Sequence, residues 1–328
     1  MQLLTETEAA SFGNFIDRHD FFYIAGHKEP DGDCICSCIA LGMLVQKKGK
    51  EFQLLSAGPF KRTEIKRYEN RFSSSMRFLS EEERKKSALI ITDCSEYARL
   101  GDIDGDLKNL DTCVIDHHKT ASAPEGALCI IDASFPAACA IVQLLYESVV
   151  GPIPKDAAEI LFTGLCTDTG FFRFLESDSA EVFKAASRLV SSGANPRATY
   201  DFITGGKPYA TRKLLGSALS RAERYLDGKL IVTSETTDDT QKWGAEGRDS
   251  DALYTLLLSV EKTLAVVFVR QESEYSCTIG FRSRGNVDVS AVAAKFGGGG
   301  HKNASGASSS GTIDTLIPQI VKEFARVL

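Results

Sequence analysis

The chain has 328 residues, long for one hydrophobic core and comfortable for two domains. Hydrophobic residues make up 43% and charged residues 25%, an ordinary globular balance. No apolar run approaches 18 residues, so no membrane span is expected. The opening MQLLTETEAASFGNFIDRHD lacks the basic head and apolar stretch of a secretion signal. A cytoplasmic protein is expected. The net charge of −6 argues against a protein that tracks long duplex nucleic acid, which draws on a broad basic surface. A short anionic ligand in a local basic pocket stays open. Nine cysteines, an odd number with no C-x-x-C pair, read as reduced packing residues and not as a zinc site. In the cluster Cys34, Cys36 and Cys38, only Cys34 and Cys38 share a helical face.

In chain order, FFYIAG (21–26) reads as a buried strand and 32–48 as a helix. FQLLSA (52–57), ALIITD (88–93), CVIDHH (113–118) and LCIID (128–132) follow as strands. Residues 137–149, 155–167 and 178–192 read as helices. Strands alternating with helices predict an α/β domain with a mostly parallel sheet flanked by helices. The character changes near residue 193. We divide the chain into 1–192, a basic linker 193–228, and a smaller α+β domain over 229–328, with a cleft between the domains. In the last segment KLIVTSET, TLAVVFVRQ and YSCTIGFRSR read as strands. Residues 288–296 and 312–327 read as helices, separated by the loop FGGGGHKNASGAS.

The chain has only five histidines, and their company is informative. His27, Asp31 and Asp33 lie in HKEPDGD, directly after a buried strand. Asp93 ends ALIITD. Asp116, His117 and His118 end the CVI strand. Asp168 follows the apolar stretch EILFTGLCT. Each has a bland reading alone: Asp93 as a helix cap, Asp31 and Asp33 as turn residues beside Pro30 and Gly32. Together they are placed where the carboxyl ends of parallel strands form a ligand-binding rim. Five aspartates on one rim repel each other, and bound cations offset that repulsion. Mixed imidazole and carboxylate donors suit Mn²⁺, Fe²⁺, Co²⁺ or Zn²⁺, the carboxylate excess leaning toward Mn²⁺ or Mg²⁺. The donors are too many for one ion and fit two.

A second constellation lies near the end of the chain. Arg282 and Arg284, in Arg-Ser-Arg at a strand end, share a face by alternation. Gly297 to Gly300 and His301 form a loop whose N–H groups can wrap a phosphate. Arginine adds a planar fork for phosphate oxygens. The plain alternatives are a flexible hinge and a solvated strand edge.

HKEPDGDCICS, ITDCSE, VIDHHKT and LCTDTGFF, in this order, resemble the four motifs of the DHH phosphoesterase family. FRSRGNVDVSAVAAKFGGGGHKNASGA resembles the DHH-associated domain, so the likeness spans essentially the whole chain. The resemblance implies a two-metal phosphoesterase, with Mn²⁺ favoured over Mg²⁺ or Co²⁺. It puts His27 and Asp31 on one metal, Asp33, His117 and Asp168 on a second, and Asp93 between them. His118 would face the substrate phosphate and Asp116 would orient an adjacent group. Arg282, Arg284, Gly298, Gly299, Gly300 and His301 would grip the substrate. One departure is visible: Cys36 stands where the family usually has Gly, a position expected to pack a helix against the sheet.

The two-block layout resembles nano-RNases and pAp phosphatases. It implies hydrolysis of short oligonucleotides, pApA or pAp by a metal-held hydroxide, with precedent for a homodimer. Cyclic di-AMP is the alternative substrate. Pyrophosphatases of the family have a different second domain without the GGGGH loop. A non-catalytic nucleotide-binding regulator and an RNA-binding module are the readings from other classes.

Overall fold

The computed structural model describes residues 4–245 and 248–328. The chain folds as two compact units, one ending at Gly206 and one running from Lys207 to Leu328. Among the described residues no helix is long and apolar enough to cross a membrane.

The first unit contains α1 (Glu6–Arg18), β1 (Phe21–Ala25), α2 (Gly32–Lys47), β2 (Glu51–Leu55), α3 (Glu81–Lys85), β3 (Ser87–Thr92) and α4 (Tyr97–Leu100). It continues with β4 (Asp111–Asp116), β5 (Leu128–Ile131), α5 (Ala138–Val149), α6 (Lys155–Asp168), α7 (Ala180–Ser191) and α8 (Pro196–Thr204). The five strands pair in parallel in the order β2-β1-β3-β4-β5. Strands β1 and β3 are buried along their whole length, which explains why each is a continuous apolar run in the sequence. Alternation divides them between two cores. Phe22, Ile24, Ala88 and Ile90 join α1, α2, α5 and α6 on one face. Phe21, Tyr23, Leu89 and Ile91 join Leu100 and Leu107 on the other. Because β1 lies between β2 and β3, the connections leaving β1 and β3 diverge there. That is the switch point at which such sheets open a crevice at their carboxyl ends.

Helix starts follow local chemistry where it is available. A capping box of Thr5 with Glu8 opens α1, and one of Ser80 with Glu83 opens α3. Helix α5 has no cap of its own, since Ala137 precedes it. Its first N–H groups are satisfied from 105 residues away, by Asp33. Helices α2 and α6 approach closely: a Cβ on Gly164 would lie 2.9 Å from Cys36 Cβ and 2.2 Å from Cys139 Sγ. The expectation that Cys36 meets the sheet is therefore corrected. Cys36 faces α6, and the small residue this contact requires is Gly164.

The second unit contains α9 (Tyr209–Ser220), β6 (Glu223–Tyr225), β7 (Leu230–Glu235), α10 (Thr237–Trp243), α11 (Ser250–Leu258) and β8 (Ala265–Ser273). Then come β9 (Ser276–Ser283), α12 (Val289–Lys295), β10 (Gly299–His301), β11 (Ala304–Ser310) and α13 (Ile313–Phe324). Its sheet runs β10-β11-β9-β8-β7-β6, with β7 and β8 parallel and the other pairs antiparallel. Helices α12 and α13 cover one face. Helices α9 and α11 cover the other.

The sequence reading of this segment was too sparse. It missed α10 and α11, and it took the GGGGH stretch for a loop. Gly299, Gly300 and His301 pair with Gly306, Ser305 and Ala304 as an edge strand. A Cβ on Gly298 would stand 2.1 Å from the Gly306 carbonyl oxygen, and Gly300 has φ 145°. The glycines thus permit a close, twisted strand pairing that any side chain would block. Residues 193–228, read as a linker, hold α8 in the first unit and α9 and β6 in the second.

Candidate metal centre

His27 follows β1, Asp93 follows β3, and Asp116, at the end of β4, leads into His117 and His118. All stand at the carboxyl edge of the parallel sheet. Asp31 caps the N-terminus of α2, its Oδ1 accepting the Cys34 N–H at 3.1 Å. Asp33 lies in the first turn of α2 and Asp168 ends α6. Residues 27 to 168, remote in sequence, converge here.

Asp93 is the centre of the arrangement. It is buried and has φ 59°, a left-handed conformation uncommon outside glycine and costing on the order of 1 kcal/mol or more. Its N–H donates to the Ile115 carbonyl at 2.9 Å, which locks the turn. Its two oxygens then face different partners. Oδ2 is 3.5 Å from His27 Nε2. Oδ1 is 3.3 Å from His117 Nε2. His27 Nε2 also lies 3.9 Å from Asp31 Oδ1. His117 Nε2 lies 3.5 Å from Asp168 Oδ2 and 4.0 Å from Asp33 Oδ2.

These separations test the donors against a cation. Ligand atoms about 2.1 Å from one ion in a tetrahedral shell stand roughly 3.4 Å apart. The spacings of 3.3–4.0 Å therefore fit donors arranged around ions better than donors bonded to each other. Donor atoms of Asp33, His117 and Asp168 all fall within 4.8 Å of one another, as do those of His27, Cys34 and Asp93. Cys34, read from the sequence as packing, thus lies at the edge of the cluster.

Electrostatics gives the same answer. Asp33 is fully buried, and its oxygens accept the Ala138 N–H at 2.5 Å and the Cys139 N–H at 2.9 Å. Burial, together with the Asp93 and Asp168 charges, pushes its pKa well above the carboxylate range. Burial and the Asp93 and Asp31 charges raise Asp168 to about 6, against the pull of His117. Burial works against a charged His117, but a hydrogen bond to Asp93 and the Asp33, Asp93 and Asp168 charges raise it to about 9. At His27 burial is likewise outweighed by Asp31 and Asp93, and the ring titrates well above its ordinary range. Asp31 resists burial through His27 and the Cys34 N–H, and falls to about 2. Without cations the cluster is held together by protons, which cations would displace.

His118 lies at the rim of the same cluster, with a ring nitrogen within 4.8 Å of donor atoms of Asp93 and His117. Its Nδ1 is 2.7 Å from Asp116 Oδ1, and the same oxygen accepts the His117 and His118 N–H groups at 2.8 and 3.2 Å. The ring is therefore fixed at one nitrogen while 45% of its side chain stays exposed. The hydrogen bond to Asp116 raises its pKa, against burial.

In the second unit, Arg282 lies 4.7 Å over the Tyr254 ring and donates to the Phe281 carbonyl at 3.0 Å. Arg284 lies just beyond β9 and is exposed. Gly299, Gly300 and His301 are exposed on the edge strand, and Gly298 is half-buried before it. Sequence reading also missed Arg99, six residues after Asp93 and exposed in the depression that holds His118. The only available signal was a cation on the short helix after the β3 carboxyl end.

Residues 22–165 match the model of the DHH family, N-terminal domain, and residues 227–328 match that of the DHHA1 domain. The chain is 32% identical over 300 residues to the bifunctional oligoribonuclease and PAP phosphatase NrnA of Thermus thermophilus, covering 88% of this chain and 84% of that one. It is 28% identical over 257 residues to a probable manganese-dependent inorganic pyrophosphatase of Clostridium acetobutylicum, covering 76% and 81%. In fold it is similar to an exopolyphosphatase-related protein from Bacteroides fragilis, with a TM-score of 0.79 and 23% identity over 99% of this chain and 98% of that one. With its DHH domain, its DHHA1 domain and its likeness to NrnA along most of the chain, the protein belongs to the DHH family of phosphoesterases.

Proposed function

We propose that the chain hydrolyses phosphate esters in short oligonucleotides such as pApA, and in pAp, using two divalent cations, with Mn²⁺ favoured. One observation carries this reading: the two oxygens of Asp93 are divided between the His27 side and the His117 side of the cluster. A carboxylate used in this way suits a bridge between two ions. His27 and Asp31 would complete one site, and Asp33, His117 and Asp168 the other. The carboxylate-rich donor set suits Mn²⁺ or Mg²⁺, and likeness to a manganese-dependent pyrophosphatase supports Mn²⁺. Likeness to NrnA supports the substrate class.

Bound there, paired cations supply a water acidified toward neutral pH and take up charge on phosphate oxygens. The chain's own residues do the rest. Asp116 holds His118 by Nδ1, so Nε2 can present a proton to a phosphate oxygen or to the departing oxygen. The N–H groups of Ala138 and Cys139 hold the Asp33 carboxylate still, so that it does not rearrange as charge develops. In the second unit Arg282, Arg284 and the Gly298, Gly299, Gly300 and His301 segment offer donors for the remainder of the nucleotide.

The test is release of mononucleotide from pApA with Mn²⁺. Parallel arms contain pAp, a pentaribonucleotide, cyclic di-AMP, a long single strand and pyrophosphate, with Asp93→Ala as control. Turnover of pApA or pAp that the variant lacks is the expected result. Preference for the long strand or for pyrophosphate would overturn the substrate assignment. Absence of any Mn²⁺-dependent hydrolysis would leave a nucleotide-binding regulator.

A further inference from the structure

We propose that the depression beside His118 is a phosphate subsite with Arg99 as its cation, taking a phosphate of the substrate that is not the one cut. This inference rests on the reading of the chain as a phosphoesterase for small nucleotides. The depression is lined by Ser95, Glu96, Arg99, His118 and Thr120 among others, and holds about 60 Å³. Pockets for whole drug-sized ligands run to roughly 300–1,000 Å³. This one accepts a single group and excludes a base.

The cation in it is free to act. Arg99 is exposed and, among the described residues, has no carboxylate partner. Several other arginines of the first unit are held in ion pairs: Arg77 with Glu51, Arg84 with Asp106 and Arg188 with Glu147. The backbone of Arg99 is nevertheless tied down. Its carbonyl accepts the Lys28 N–H at 2.7 Å, and its own N–H donates to the Glu96 carbonyl at 3.0 Å. Helix α4 is thereby bonded to the loop that carries His27. A guanidinium on a fixed stem offers a fork of donors that matches phosphate oxygens. Lys28 and Lys119, both exposed beside the histidines in sequence, add positive potential to the same rim.

His118 borders both this depression and the carboxylate cluster. Its Nδ1 is 3.9 Å from Asp93 Oδ1, and the ring also lines the depression. A phosphorus being cut must lie on the Asp93 side. A phosphate in the depression would meet Arg99 and the exposed part of the same ring. Substrates served by this arrangement carry two phosphates on neighbouring positions, as a 5′-phosphorylated dinucleotide or a 3′,5′-bisphosphate does. Glu96 is the one exposed carboxylate lining the depression and opposes an anion there, which supplies a test of opposite sign.

The experiment compares kcat/KM for pApA and for ApA, which lacks the 5′-phosphate, with Mn²⁺. It uses the wild type, Arg99→Gln, Arg99→Lys and Glu96→Gln, with thermal melts to verify folding. Loss of a hydrogen bond to a charged group predicts that Arg99→Gln lowers pApA turnover about 10–100-fold relative to ApA, mainly through KM. Arg99→Lys retains part of the preference, because charge remains while the fork is lost. Glu96→Gln raises the preference for pApA several-fold. An equal loss on both substrates would place Arg99 on the cut phosphate and overturn the subsite. A preference that no variant changes would remove Arg99 from binding altogether. If the wild type cuts neither substrate, the phosphoesterase reading itself fails, a result distinct from either.

Discussion

The two units carry their functional candidates in opposite ways. In the first, carboxylates are buried and held: Asp33 by two N–H groups of α5, Asp93 by a left-handed turn, Asp116 by three hydrogen bonds. In the second, glycines and His301 lie exposed on an edge strand, and Arg284 beyond β9. Buried like charges store unfavourable energy that a cation relieves, whereas an exposed strand stores little. The first unit is therefore expected to respond to metal and pH, and the second to substrate.

The largest effect should come from Asp93→Ala. It removes the carboxylate facing both donor groups, so Mn²⁺-dependent hydrolysis should fall at least ~10³-fold. The metal-free variant should also melt lower than the metal-free wild type, because Ala tolerates φ 59° less well than Asp and because His27 and His117 lose a carboxylate partner. Melting in EDTA checks this, and an unchanged melting temperature would mean that the metal-free cluster gains nothing from Asp93.

Next comes pH. Asp33, Asp168, His27 and His117 all have folded-state pKa values raised above their ordinary ones. For a raised group, stability is fully present below the unfolded pKa and is lost as pH rises through the folded one. With Asp168 at about 6 and His117 at about 9, the metal-free chain should lose stability steadily from about pH 4 to pH 9. Asp31, lowered to about 2, acts with the opposite sign and only on the acid side of this window. Mn²⁺ should consequently raise the melting temperature more at pH 8.5 than at pH 6. Equal shifts at both would break the comparison with the second unit.

Gly164→Ala should cost ~1–3 kcal/mol by overpacking against Cys36 and Cys139, measured by urea denaturation. It should also weaken Mn²⁺ binding, because α2 and α6 carry Asp33 and Asp168. Adding Cys36→Gly should restore part of the loss, since the space moves to the partner helix. The smallest effect on stability should come from Gly300→Ala, about 1–2 kcal/mol, because it unpairs only the short edge strand β10: at φ 145° its Cβ would meet the Ala304 carbonyl oxygen at 2.6 Å and Ser305 Cα at 2.8 Å. It should raise the KM for pApA while leaving Mn²⁺ affinity intact, as titration with the metal would show.

Legibility differed between the units for a physical reason. Strands β1, β3 and β4 of the first are buried on both faces almost throughout, so each appears as an apolar run with its chemical residues at the carboxyl end. In the second, the GGGGH stretch carries no apolar pattern, and its strand exists only because β11 lies beside it. Helix α11 was hidden for another reason, since its apolar run gives no amphipathic rhythm to separate it from a strand.

Residue types and their order along the chain determined the α/β pattern of the first unit, the membership of the family and the candidate donors His27, Asp31, Asp33, Asp93, His117 and Asp168. The tertiary structure alone decided that Asp93 turns one oxygen to each side, that Asp33 caps α5, that Cys36 meets Gly164, and that Arg99 lines the depression beside His118 with no carboxylate partner among the described residues. The first set depends on local periodicity and composition. The second depends on contacts between segments tens to hundreds of residues apart, whose distances are set by packing and leave no mark on the local sequence.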